Sequence, residues 1–145
     1  MQDHDHYADD YIRGILSSVK TIALTGASPK EMRPSFSVMR FLLAQGYHVI
    51  PVNPGQAGKT ILDQRVYPRL ADVPEPIDMV DVFRNSFAVP GVVDEVLALD
   101  PLPRVIWMQL GVWDEAAAGK AEAAGIEVVM NRCPAIEIPR LGMRV

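Results

Sequence analysis

The stretch Thr21-Ile22-Ala23-Leu24-Thr25-Gly26-Ala27-Ser28-Pro29-Lys30 narrows the folds open to this chain more than any other. No charge falls between Lys20 and Lys30, as a central parallel strand covered on both faces requires. The strand runs into a glycine turn, and a helix follows within a few residues. Gly26 lets the backbone turn without a Cβ, so a phosphate can approach the Ala27 and Ser28 amides and the N-terminus of the next helix. This is the pattern of the first βα unit of a nucleotide-binding sheet.

The rest of the chain repeats the alternation. Ahead of this unit, Ile12, Ile15, Leu16 and Val19 recur at helical spacing behind Asp9 and Asp10. After it, Arg33-Pro34-Ser35 leads into a helix over Phe36 to Gln45 that Gly46 ends. Tyr47 to Val52 reads as the second strand and Asn53-Pro54-Gly55 as a turn. Gln56 to Pro76 is less regular, with a short edge strand expected at Thr60 to Leu62 and a brief helix near Pro68 to Ala71. Strands then follow at Met79 to Phe83, Val105 to Met108 and Glu127 to Met130. Helices are expected at Pro90 to Leu99, Asp114 to Ala124 and around Ala135 to Leu141. Such alternation implies an α/β protein with a doubly wound, mainly parallel sheet in a single domain over residues 11–145. Residues 1–10, with four aspartates and two histidines, read as a flexible acidic tail rather than a metal site at His4-Asp5-His6. In such sheets the ligand crevice opens where strand order reverses. The turns after Thr25 and Phe83 are therefore expected to face each other.

Bulk properties restrict the ligand. With 145 residues, no run of about 18 apolar residues and no basic-then-apolar leader, the chain reads as cytoplasmic, without a membrane partner. Its single cysteine, Cys133, fits a reducing compartment. A formal charge of −4 argues against a nucleic-acid partner, whereas Lys30, Arg33, Lys59, Arg84 and Arg132 in predicted turns would give a basic mouth suited to a small anion. A dinucleotide site would carry Gly-x-Gly-x-x-Gly in the first turn and an acidic residue about 20 positions on. This chain has only Gly26 there, and the second strand ends in Val52-Asn53-Pro54-Gly55. An adenine nucleotide with an extra phosphate is favoured over NAD, because no carboxylate stands there to repel it.

Gly26-Ala27-Ser28-Pro29, Arg33-Pro34-Ser35, Pro51-Val52-Asn53-Pro54, Asp78-Met79-Val80-Asp81-Val82-Phe83-Arg84, Trp107-Met108-Gln109-Leu110-Gly111 and Asn131-Arg132-Cys133-Pro134 occur in this order. Together they resemble the motifs of the small stand-alone CoA-binding proteins of bacteria and archaea, similar to the CoA-binding domain of the succinyl-CoA synthetase alpha subunit. The resemblance implies a Rossmann-like fold with coenzyme A or an acyl-CoA as the small-molecule nucleotide ligand. By the same resemblance Gly26, Ala27 and Ser28 would contact phosphates, with Arg33, beside Ser35, and Lys59 as further partners. Val52, Asn53 and Pro54 would border the adenosine. Phe83, Arg84 and Asn85 would form the other wall, and Gln109, Leu110 and Gly111 would border the pantetheine. Asn131 stands where the family usually has aspartate, which keeps an acceptor oxygen and removes a charge.

No catalytic constellation is evident; Cys133 and Asp114 are the nominees nearest the pantetheine end, and His48 reads as structural. Each candidate also has a bland reading: Gly26 and Gly111 as turn glycines, Trp107 and Phe83 as core, Arg84 as the partner of Asp81. Three functions stay open at this point: a non-catalytic CoA-binding module, an NAD- or flavin-linked oxidoreductase or redox sensor, and a structural or regulatory partner acting through the Trp113 region. The sequence leaves oligomeric state open.

Overall fold

The computed structural model describes residues 2–143. In chain order the elements are α1 (Asp9–Ser18), β1 (Thr21–Thr25), α2 (Pro34–Ala44), β2 (His48–Val52), β3 (Thr60–Ile61), β4 (Gln64–Arg65) and β5 (Met79–Val82). They continue with α3 (Val89–Leu97), β6 (Val105–Met108), α4 (Glu115–Ala123), β7 (Glu127–Val129) and α5 (Pro134–Arg140). Short 3-10 turns at Pro54–Gln56, Leu70–Asp72 and Ser86–Ala88 lie in the connections.

Five strands form one parallel sheet in the order β2-β1-β5-β6-β7. Side chains alternate across it. Ile22, Leu24, Met79, Val105, Trp107 and Val129 pack with Ile12, Leu16, Met39, Leu42 and Ile138 of α1, α2 and α5. Ala23, Val80, Val82, Ile106, Met108 and Val128 pack with Val92, Val93 and Val96 of α3 and Ala117, Ala118 and Ala121 of α4. Helices thus cover both faces, and every residue of β5 and β6 is buried, which is why these strands read as continuous apolar runs apart from Asp81. The doubly wound α/β sheet expected from the alternation is what forms.

The strand order reverses between β1, whose outer neighbour is β2, and β5, which begins the walk in the opposite direction. Thr25 pairs with Val82 at that point. The first connection and the β5–α3 connection therefore leave the sheet side by side, as the sequence implies.

Thr60 and Ile61 do not extend the main sheet. They pair with β4 in a separate two-stranded hairpin whose two turn residues, Leu62 and Asp63, both take positive φ (49° and 64°), the requirement of the tight turn that suits a two-residue hairpin. Tyr67 then bridges to Val52 and ties the hairpin to the sheet edge. At the other end, the segment read as a tail packs against the β7 side. His4 is buried and bonds Tyr7 Oη (2.5 Å) and Glu122 Oε1 (3.1 Å), while Tyr7 Oη accepts the Met130 N–H (2.7 Å). None of the described helices is long and apolar enough to cross a membrane.

Candidate functional site

The site is built where the β1 and β5 connections meet at the carboxyl edge of the sheet. Gly26 takes φ +79°, and a Cβ there would run into the Phe83 carbonyl oxygen and stand 2.8 Å from its carbon. Glycine is required on both counts: by the left-handed backbone and by the contact between the two turns. The Gly26 N–H (3.0 Å) and the Ala27 N–H (3.4 Å) both donate to the Val52 carbonyl. The Ala27 amide holds the turn against the end of β2, and the Ser28 N–H is the one that makes no hydrogen bond among the described residues.

Asn53 completes the junction. Its Nδ2 donates to the Ala27 carbonyl (2.7 Å), its Oδ1 accepts the Gly55 N–H (2.8 Å), and its own N–H donates to the Tyr67 carbonyl (2.9 Å). The side chain is committed to joining the β1 and β2 loops; of its neighbours, Val52 is buried in the core and Pro54 is exposed. Asn53→Ala is expected to lower stability by about 1 to 2 kcal/mol, because two backbone groups lose their partner. An unchanged melting temperature would show that water replaces both bonds.

Helix α2 begins above this junction. Its N-cap, Arg33, makes no side-chain capping bond, its first turn holds no acidic residue, and Pro34 opens it. Apart from the Phe36 N–H, which donates to the Arg33 carbonyl (3.0 Å), the first turn has no cap, and the positive end of the helix dipole meets no acidic residue of its own turn. By contrast, Asp114 caps α4 through its Oδ1 on the Ala117 N–H (2.8 Å), which turns that nominee for chemistry into a structural residue. Lys30, Arg33, Lys59 and Arg84 are exposed and enter no salt bridge among the described residues. Arg84 comes off the turn that touches Gly26, with its Cδ 3.2 Å from the position of a Cβ at Gly26. Arg132 does not belong to this basic mouth. Its guanidinium donates to the carbonyls of Met130, Asn131 and Asp5 and lies over the Tyr7 ring, because the packed N-terminal segment offers it partners that the sequence did not reveal.

The far wall is tied together by three side chains. Asn85 Oδ1 caps the 3-10 turn after β5 by accepting the Ala88 N–H (3.1 Å). Ser86 Oγ accepts the Trp113 N–H (3.0 Å) and reaches the Gly111 carbonyl (3.4 Å). Asn131 sits at φ +58°, a conformation asparagine tolerates, and its Oδ1 accepts the Gly111 N–H (2.8 Å). That bond needs only an oxygen, so asparagine serves where the related motif carries aspartate. Ser86 was not among the candidate residues; its signal was its place between Asn85 and the 3-10 turn, which does not distinguish a bracing hydroxyl from a solvated one.

Four expected site residues, Ala27, Ser35, Val52 and Gln109, are buried. Gln109 is buried; with its amide nitrogen toward Asp81, it donates to Oδ1 (2.8 Å) and Oδ2 (3.3 Å). Asp81 is thereby partnered by Gln109, not by Arg84, and its complete burial pushes its carboxyl well above the usual carboxylate range. Leu110 and Gly111, by contrast, are exposed at the rim. Trp107 is fully buried and donates from Nε1 to the Arg132 carbonyl (3.0 Å); Phe83 is half-buried against the core. Ser35 is buried at the mouth of α2. Cys133 is buried at the start of α5, and His48 pairs with Glu75 (2.7 Å) on the surface. Among the described residues, no group of three His, Cys, Asp or Glu side chains is arranged to hold a metal ion.

The sequence pattern of one protein family, the CoA binding domain, matches residues 20–139 of this chain. The chain belongs to that family. The CoA binding domain described here is 36% identical over 122 residues to the uncharacterized protein YneT of Bacillus subtilis (strain 168), a match covering 84% of this chain and 87% of YneT. A solved structure from Thermus thermophilus, 39% identical, superposes with a TM-score of 0.87 over 93% of this chain and 99% of its own. Part of the domain is also similar to an ADP-forming acetate–CoA ligase of Archaeoglobus fulgidus, 34% identical over 78 residues; the match takes in 52% of this chain and 11% of the ligase. The likeness to the succinyl-CoA synthetase alpha subunit that the motifs suggested is thus supported only loosely, through an acetate–CoA ligase. Nothing in these matches supports the oxidoreductase alternative.

Proposed function

We propose that this CoA binding domain binds coenzyme A or an acyl-CoA across the β1/β5 switch point. The observation that supports the reading is that Lys30, Arg33 and Arg84, which enter no salt bridge among the described residues, and the helix N-terminus without a side-chain cap all belong to the two connections that meet at Gly26 and Phe83. In this reading the Ser28 N–H, the α2 N-terminus, Arg33 and Arg84 take the diphosphate, and Lys59, on the hairpin beside β2, takes a further phosphate. Pro54, exposed at the end of β2, borders the adenosine, and the buried Val52 supports it from the core. The Leu110-Gly111 backbone, held by Asn131 and Ser86, borders the pantetheine. Asn53, Asn85 and Gln109 act behind the ligand, by fixing the loops that meet it. The role is one of binding: Asp114 is used as a helix cap and Cys133 is buried.

Arg33→Ala and Arg84→Ala are each expected to weaken CoA binding by about 1 to 3 kcal/mol, the worth of a charge-assisted bond to phosphate. Both side chains are exposed, so the fold should persist. Thermal melting with CoA, dephospho-CoA, NAD and FAD tests the reading directly, since only a ligand that prefers the folded state raises the transition. CoA should raise it most and dephospho-CoA less. Stabilisation by NAD or FAD without stabilisation by CoA would defeat the proposal, as would unchanged CoA affinity in both arginine variants.

A further inference from the structure

Six large apolar side chains are exposed among the described residues, and four of them lie on the three connections that form the candidate site. Met32 (88% exposed) follows β1, Phe87 (98%) follows β5, and Leu110 (57%) and Trp113 (38%) follow β6. The other two, Leu102 and Ile136, lie elsewhere, before β6 and on α5. A clustered apolar patch on one rim calls for an occupant in a way that scattered ones do not. The polar side chains of the same rim are distributed unevenly. Lys59, Lys30, Arg33 and Arg84 come from the connections after β2, β1 and β5, whereas the connection after β6 brings no cation and contains Asp114 and ends at Glu115. The cations thus lie on the β2, β1 and β5 side of the rim, with Glu31 and Met32 among them, and three of the four apolar side chains, Phe87, Leu110 and Trp113, lie on its β5 and β6 side. The loops carrying Phe87 and Trp113 are held together by Ser86, whose Oγ accepts the Trp113 N–H and reaches the Gly111 carbonyl, so the apolar end is a fixed surface.

We infer that the ligand of this site is a CoA thioester whose acyl group is an uncharged hydrocarbon chain, with Phe87, Leu110 and Trp113 as the platform for that chain. The inference rests on the CoA reading above and extends it. A polyanionic nucleotide at one end and an apolar tail at the other match the two halves of the rim, and Asp114 and Glu115 disfavour an acyl group ending in a carboxylate.

Titration calorimetry of the whole chain with CoA, octanoyl-CoA and succinyl-CoA tests it. Octanoyl-CoA should bind at least tenfold more tightly than CoA, the gain from burying about two of its methylenes, and succinyl-CoA no more tightly than CoA. Phe87→Ser, at a fully exposed position, should weaken octanoyl-CoA at least threefold and leave CoA unchanged. If CoA binds and octanoyl-CoA binds no better, the acyl platform is wrong while the CoA site stands. If Phe87→Ser instead abolishes a concentration-dependent self-association seen by sedimentation and leaves octanoyl-CoA affinity unchanged, the patch is a contact between copies and the inference fails. If no CoA species binds, the parent reading fails and the inference with it.

Discussion

Gly26→Ala should destabilise the domain by about 2 to 5 kcal/mol. A left-handed backbone costs a residue with a Cβ about 1 to 2 kcal/mol, and forcing a methyl into a filled space costs about 1 to 3 more. Here the obstacle is backbone, the Phe83 carbonyl, and not the far end of a flexible side chain. The first turn cannot retreat easily, because its Gly26 and Ala27 amides are bonded to Val52 and the Ala27 carbonyl to Asn53. Gly111→Ala provides the control. It shares the positive φ (+80°), but nothing lies within 4 Å of its Cβ position, so only the backbone term, about 1 to 2 kcal/mol, should be lost. Urea unfolding of both variants separates the terms. Equal losses would mean that the approach of the two turns is not tight, and with it would go the geometry on which the CoA site depends.

Asp81→Asn should stabilise the domain at pH 7. The carboxyl of Asp81 is fully buried between β1 and β6, and burial raises its pKa well above the ordinary carboxylate range. The native state therefore holds its proton more strongly than the unfolded chain does. The stability linked to this proton is complete below the unfolded carboxylate pKa near 4 and is lost as pH rises toward the native value, at up to about 1.4 kcal/mol per pH unit. Asparagine keeps the size of the side chain, removes the ionisation, and can exchange two amide hydrogen bonds with Gln109. Unfolding free energies measured from pH 4 to pH 8 should show a downward slope in the natural chain that is reduced in the variant, with the two curves converging at the acid end. A variant less stable than the natural chain at pH 7 would show that the Asp81 carboxyl, hydrogen-bonded to Gln109, is net favourable.

The same two residues mark how far a sequence alone can be read. Gly26 was legible because a glycine ending an uncharged strand has few uses, and its turn could be paired with the one after Phe83 from strand order alone. Asp81 was noticed as a carboxylate near Arg84, yet its partner is Gln109, two strand-end residues brought together only by the β5/β6 pairing. Arg132 illustrates the same limit from the other side. As a cation in a turn it looked like part of the mouth, but its direction is set by Tyr7 and the Asp5 carbonyl, more than 120 positions away in the chain.

By itself the sequence determined the doubly wound parallel sheet, its helices on both faces and the edge where a ligand can sit, because hydrophobic period, glycine turns and connection order are local properties that survive without knowledge of neighbours. The tertiary structure alone decided which turn residues face that edge. Asn53, Asn85, Ser86, Gln109 and Asn131 became braces, and Arg33, Arg84, Lys30 and Lys59 were left without carboxylate partners among the described residues. Whether a polar side chain meets the chain or the solvent depends on which distant backbone groups arrive beside it, and that is a property of packing.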